Sequence, residues 1–232
     1  MLGIKKDNRH SYDDFGIKIL SRSISIPSKR KIKETVPFMN GSYDFSLLYG
    51  EQTYDEREIT YQFRLPKKDK VELNMLKLKI VEWLYDGIKS KLYDDQFPGF
   101  YFLAECTSID YDESFYNYAQ LTATFTAYPF KISTLQDGHD IWDNFNFELD
   151  IVQETKFEIE NTKNIQLYNN GAISINPTVI CSSNMEITKG NTTYKFNSGE
   201  TKSWSFKLDK GLNDLIIKGT GTIEFKWYKE VL

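Results

Sequence analysis

Histidine and cysteine are nearly missing from this chain of 232 residues: only His10, His139, Cys106 and Cys181 occur. Two isolated imidazoles starve histidine-based acid–base and triad chemistry. Scattered singly, the four residues give no zinc-ligand spacing, and two cysteines 75 positions apart read as free, buried thiols rather than a disulfide framework. No Gly-x-Ser-x-Gly elbow, phosphate loop or dinucleotide fingerprint is present. No stretch approaches the roughly 18–20 apolar residues of a membrane span. No charged start leads into an apolar core, so no secretion signal is expected and synthesis in a reducing cytoplasm follows. A basic excess is absent too: 29 Lys and Arg against 33 Asp and Glu leave a net charge of −4 and a pI near 5.4. That excludes a dedicated DNA binder working by counterion release.

Apolar residues make up 40% of the chain and aromatics 15%, enough for folded cores despite a mean hydropathy of −0.50. The length suits two small domains or one large one. Charge is unevenly spread. Residues 1–136 balance to zero, and the whole surplus of −4 lies in 137–232, concentrated in the acidic stretch 137–160. Residues 1–35 are basic, with nine cations against four acids. Solvated faces account for such runs, and attraction between a basic arm and an acidic segment of another subunit is the alternative.

Periodicity places strands at Phe15–Ile26 and Glu58–Leu65, where Ile59, Tyr61, Phe63 and Leu65 share one face. Between them, 27–36 is basic, lacks a core pattern and is bracketed by Pro27 and Pro37, so it reads as an exposed arm or hairpin. One helix is expected over 70–86. Asp69 caps it, Glu72 follows as in a capping box, Gly87 stops it, and Leu73, Leu76, Ile80, Trp83 and Leu84 form its apolar face. Strands at Phe100–Ile109 and Tyr118–Tyr128 follow, and the turn dipeptide Asp137-Gly138 marks a boundary. Beyond it, short strands are expected at Lys156–Glu160, Ile165–Tyr168, Thr178–Cys181, Glu186–Lys189, Tyr194–Asn197, Trp204–Leu208, Leu215–Lys218 and Thr222–Tyr228. Glycine-bearing turns separate them, including Gly219-Thr220-Gly221, which is the pattern of a jelly roll or similar two-sheet sandwich.

Candidate chemistry is thin. Asp94-Asp95 and Asp110-x-Asp112-Glu113 are acid pairs, but the second lacks the ligand series of a calcium loop, and solvated turn acids explain both. Trp204, Trp227 and Tyr228 could form an aromatic platform for a sugar. Ile223, Phe225 and Trp227 share a strand face, which favours core packing for Trp227.

Several features occur in a familiar order. Ser11-Tyr12-Asp13-Asp14-Phe15-Gly16, then Val36-Pro37, Asn40-Gly41, Asp44, Tyr54 and Arg57, then a helix ending Trp83-Leu84, resemble the distal tail protein (Dit) family of long-tailed phages of Gram-positive bacteria. Phe97-Pro98-Gly99-Phe100-Tyr101, Phe125 and Pro129-Phe130 resemble the end of that family's N-terminal domain. Asn169-Asn170-Gly171, Pro177 and Gly211-Leu212-Asn213 are similar to its galectin-like sandwich.

The resemblance implies a mainly β fold with one helix: a ring-forming N-terminal β + α domain over 1–136 and a C-terminal galectin-like or jelly-roll β-sandwich over 137–232. It implies a structural, non-enzymatic protein of the virion tail tip or baseplate, without cofactor, metal or membrane. Six copies would form a ring joining the tail tube protein to the tail-associated hub (Tal-like) protein. Receptor-binding proteins would dock on the sandwich, and DNA would pass through the lumen without specific binding. The arm would reach the next subunit, with Lys29, Arg30, Lys31 and Lys33 as contact residues, their alternative being a solvated loop. The alternative function is a carbohydrate-binding module contacting the host wall through Trp204, Trp227 and Tyr228. A glycoside hydrolase using the acid pairs ranks last.

Overall fold

A computed structural model describes residues 2–48, 50–66, 69–112, 118–138 and 151–232. The chain divides into two compact units, one over Met1–Ile132 together with Leu232 and one over Ser133–Val231. His139, Glu113 and much of the acidic stretch after 137 lie outside the described residues.

The first unit contains β1 (Ile4–Lys6), β2 (Arg9–His10), β3 (Lys18–Ile24), β4 (Lys33–Glu34), β5 (Tyr43–Asp44) and β6 (Arg57–Pro66). After these come the helix α1 (Lys70–Leu84), β7 (Ser90–Asp94), β8 (Phe100–Asp112) and β9 (Tyr118–Ala127). Strand β10 (Lys131–Gln136) carries the chain across the division at Ile132/Ser133. The strands pair antiparallel in the order β2-β1-β7-β8-β9-β6-β3.

Strand β6 alternates as its sequence dictates, sending Ile59, Tyr61, Phe63 and Leu65 into the core opposite Phe125, Ala123, Leu121 and Ala119 of β9. Asp69 caps α1 by accepting from the Val71 amide at 2.9 Å, and Leu73, Ile80, Trp83 and Leu84 close the core over the sheet. Trp83 stacks on Phe15 and donates its indole N–H to the Lys6 carbonyl at 2.9 Å, so this tryptophan is structural. Strands β1 and β7 carry too few alternating apolar residues to be read from sequence; pairing with each other and with β8 makes them strands.

The second unit contains β11 (Lys156–Asn169), β12 (Thr178–Cys181), β13 (Met185–Lys189), β14 (Thr192–Phe196), β15 (Gly199–Lys202), β16 (Gly211–Lys226) and β17 (Tyr228–Val231). Two corrections to the sequence reading concern its framework. The expected pairs of short strands at 156–168 and 215–228 are two long strands that pair along their whole length, from Lys156↔Glu224 to Asn169↔Gly211. Gly219-Thr220-Gly221 is therefore no turn. The chain runs through it as a strand, with φ of +146° at Gly219 and +128° at Gly221, facing Asn161, which is itself left-handed at φ +66°. A Cβ at Gly221 would lie 2.2 Å from Ser182 Oγ, and one at Gly219 would lie 2.9 Å from Met185 Cγ. Conformation and close approach both demand glycine there.

Burial explains what the glycines do. Phe157 and Ile159 face inward near one end of β11, Ile165 and Leu167 near the other, and residues 160–164 between them are exposed. Both ends nevertheless line one core with Leu215, Ile217, Ile223 and Phe225. A flat strand of this length would span roughly 46 Å. To enclose a single core on one face, the hairpin must fold over at the glycines. On either side of that fold β16 takes a different neighbour, β13 along Ile216–Lys218 and β12 along Ile223–Lys226, and each neighbour adds an outer strand, β14 and β15 respectively.

Candidate functional site

The arm grows from the β3–β6 edge. Backbone pairing continues outward from Ser25 with Glu58 through Ser28 with Asp55 and Arg30 with Thr53, and resumes at Ile32 with Phe45 in the two-stranded β4–β5 hairpin. The excursion therefore extends beyond the expected 27–36 and includes a return leg to about Asp55. Register decides its two faces. Lys33 lies opposite Asp44 and Glu34 opposite Tyr43, so Ile32, Glu34, Tyr43 and Phe45 share one face while Lys31, Lys33 and Asp44 share the other. The Tyr43 and Phe45 rings lie 6.2 Å apart. All three apolar side chains are exposed, as are Val36, Leu47, Leu48 and, completely, Phe38 at the tip, which adopts φ +68°.

Two of the four basic side chains have partners within the arm. Arg30 Nε pairs with Asp55 Oδ1 at 2.9 Å, and Lys31 Nζ with Asp44 Oδ2 at 3.1 Å, both inside the arm. Asp44 is held below the ordinary carboxylate range chiefly by hydrogen bonds from the Ser46 hydroxyl and amide, and then by Lys31. Asp55 is lowered in the same direction by Arg30 and then Ser28. Among the described residues no acid pairs with Lys29 or Lys33. Two of the four cations thus brace the arm, and the opposite face is mainly apolar, with Glu34 among Ile32, Tyr43 and Phe45. The sequence reading missed this because the hairpin's apolar residues are separated by polar and turn residues; only the register brings them together.

In the second unit the three aromatic candidates part company. Trp227 belongs to the core and is 2% exposed, so it offers no face to a ligand. Tyr228 is partly exposed, with its hydroxyl 3.5 Å from Gln136 Nε2. Trp204 is 87% exposed. The expected strand at Trp204–Leu208 is instead a bend. The Asn176 side-chain amide donates to the carbonyls of Ser203, Trp204 and Phe206 at 2.9–3.0 Å, and the Ser205 amide bonds Ser203 Oγ. Phe206 anchors the bend in the core against Tyr194 and Phe196. The result is a large aromatic held outward on a fixed loop.

The acid pair Asp94-Asp95 is occupied by structure. Buried Asp94 accepts from the Tyr61 hydroxyl at 2.9 Å and Arg22 Nε at 3.2 Å, and Asp95 accepts from the Gly3 amide at 2.7 Å. Burial, and then the Asp94 charge, push the Tyr61 hydroxyl well above its usual range. Asp110 and Asp112 lie exposed on β8. Among the described residues no group of three or more His, Cys, Asp and Glu side chains is arranged to hold a metal ion, and no helix is long and apolar enough to cross a membrane.

Residues 9–127, the span that carries the sheet, the helix and the arm, match the family model of the phage tail protein RIFT-related domain. The chain belongs to this family of phage tail proteins. It is a structural component of the virion tail. Its fold is similar, over 100% of both chains, to the crystal structure of the Dit protein of phage SPP1, with a TM-score of 0.68 and 13% sequence identity. That protein is described as a paradigm of the hub adsorption apparatus in phages infecting Gram-positive bacteria. No curated protein matches the chain.

Proposed function

We propose that this protein is a ring-forming adaptor at the distal end of a phage tail, six copies closing around the tail axis to join the tail tube to the hub protein beneath it. The first unit builds the ring and the sandwich presents a docking surface for receptor-binding or other adsorption components. The observation that carries this reading is the arm: an isolated two-stranded hairpin is marginal in water, yet this one exposes Ile32, Tyr43 and Phe45 on a single face. Such a face calls for cover from another molecule. A closed ring needs a heterologous contact repeated around an axis, which a projecting arm supplies. The zero net charge of residues 1–136 suits a conduit that DNA traverses without adhering.

Native mass spectrometry and negative-stain imaging of the purified protein test this reading. A six-fold ring with a central hole is expected; a chain that stays monomeric at high concentration, also with its tube and hub partners, would falsify it.

The outward Trp204 favours a second reading, in which the sandwich contacts host-wall glycans. Saturable glycan binding that Trp204→Ala removes without unfolding the protein supports it. Absence of binding across a broad wall-glycan panel rules it out.

A further inference from the structure

Helix α1 is apolar on two opposite sides. Leu73, Leu76, Ile80, Trp83 and Leu84 face the core, which is the single stripe a surface helix needs. On the other side Val71, Met75, Leu78 and Tyr85 are 69%, 53%, 64% and 55% exposed. Their spacing of four, three and seven, with Glu82 filling the intervening place, is the repeat of a helix seam that meets a partner. Beside its first turns lies an open groove of about 390 Å³, walled by Phe15, Pro66, Val71, Met75 and Leu76 and by the charged Glu72 and Lys79. No described part of the chain covers the stripe.

The same unit carries the complementary shape. Phe38 stands at the tip of the arm with its ring wholly in solvent, on a backbone whose φ of +68° is costly for a residue with a Cβ. Covering the helix stripe would bury roughly 600 Å² and covering the arm's apolar face a comparable or larger area, which together reach the about 1,200–2,000 Å² of a specific interface. A stripe on one face and a knob on another are the two unlike patches that a head-to-tail contact between identical chains requires.

We infer that the outward face of α1 receives the arm of a second copy of this chain, with Phe38 seated in the groove between Phe15, Pro66, Val71 and Met75 and the Tyr43/Phe45 face lying along Leu78. The inference rests on the ring reading and names the surface that closes it. Lys31, braced by Asp44, stays on the arm's far side with Lys33, so the contact is mainly apolar and persists at high salt.

The test is a pair of introduced cysteines, Phe38→Cys with Met75→Cys, in the full-length protein. The native Cys106 and Cys181 are buried and do not compete. Mild oxidation should give covalent oligomers up to the whole ring, with either single variant giving none. In parallel, Leu78→Glu, an exposed position that leaves the fold intact, should weaken assembly at least ten-fold. Rings that persist with Leu78→Glu and yield no cross-link would overturn the inference while leaving the ring reading standing. A cross-link confined to monomers would show the arm closing on its own helix and overturn it as well. A wild-type chain that forms no ring removes the ring reading and this inference together.

Discussion

Lys6 Nζ lies 2.5 Å from Asp86 Oδ2 and 2.8 Å from Asp7 Oδ2, with no lysine side-chain surface left in solvent. The pair ties the first strand to Asp86, two residues beyond the end of helix α1. Burial alone would lower the ammonium's pKa, but hydrogen bonds to Asp7 and Asp86 outweigh it and the net shift is upward.

Lys6→Ala should destabilise the first unit by about 1–3 kcal/mol, less than a fully buried pair because the orphaned carboxylates reach water. Because the folded-state pKa is raised, the lysine's contribution is complete below its unfolded value and is lost as pH rises through the folded one. Denaturant melts of wild type and variant at neutral pH should therefore differ, and should converge as the pH climbs beyond the ordinary lysine range.

Gly221→Ala should destabilise the second unit by more than about 3 kcal/mol, since the new methyl meets Ser182 Oγ and the backbone sits at φ +128°. Ser182→Ala in the same chain relieves the clash but not the dihedral, so it should restore only part of the loss. Thermal melts of the single and double variants decide this, and full recovery would mean that conformation plays no part.

The arm should loosen in acid. Asp44 and Asp55 both titrate below the ordinary carboxylate range, so the order they lend the hairpin is intact above about pH 4 and fades as pH falls further. The hydrogen-exchange protection of the Ile32 and Phe45 amides, taken relative to their intrinsic rates, should fall towards pH 3, and Asp44→Asn should show the lowered protection already at neutral pH.

Trp204→Phe should leave the melting temperature within about 1 °C of wild type, as expected for an exposed site, whereas Trp227→Ala should cost about 3–5 kcal/mol. The fluorescence lost with Trp204→Phe should be red-shifted and readily quenched by iodide, a direct reading of its 87% exposure.

Neither cysteine should react with a thiol reagent at pH 8 in the folded protein. Burial pushes the Cys106 thiol up to about 12 and raises Cys181 too. Both should label at once in denaturant; rapid labelling of the native chain would show that one unit opens freely.

Legibility from sequence followed local physics. Helix α1 announced itself through Asp69, Glu72 and the inward stripe, all set within a few residues of one another. Strand β6 did so through strict alternation. Features fixed by distant partners were hidden: β1 and β7 are strands because they pair across some ninety residues, and Trp204 escapes a strand because Asn176, 28 positions earlier, gathers the carbonyls around it. Gly219 and Gly221 were visible as glycines but read as a turn, because a sequence does not show that Asn161 and Ser182 stand opposite them. The arm was recognisable as an arm from its prolines and charge; which face it presents depended on the pairing of Lys33 with Asp44.

The folded-over hairpin of β11 and β16 also governs how the sandwich comes apart. Each half of the core is walled by the same two strands, joined by an unbroken ladder from Lys156↔Glu224 to Asn169↔Gly211. Neither half can shed its outer strands and melt while the other stays whole, because the ladder belongs to both. Under load, such a sandwich would therefore resist as one unit and yield in a single step.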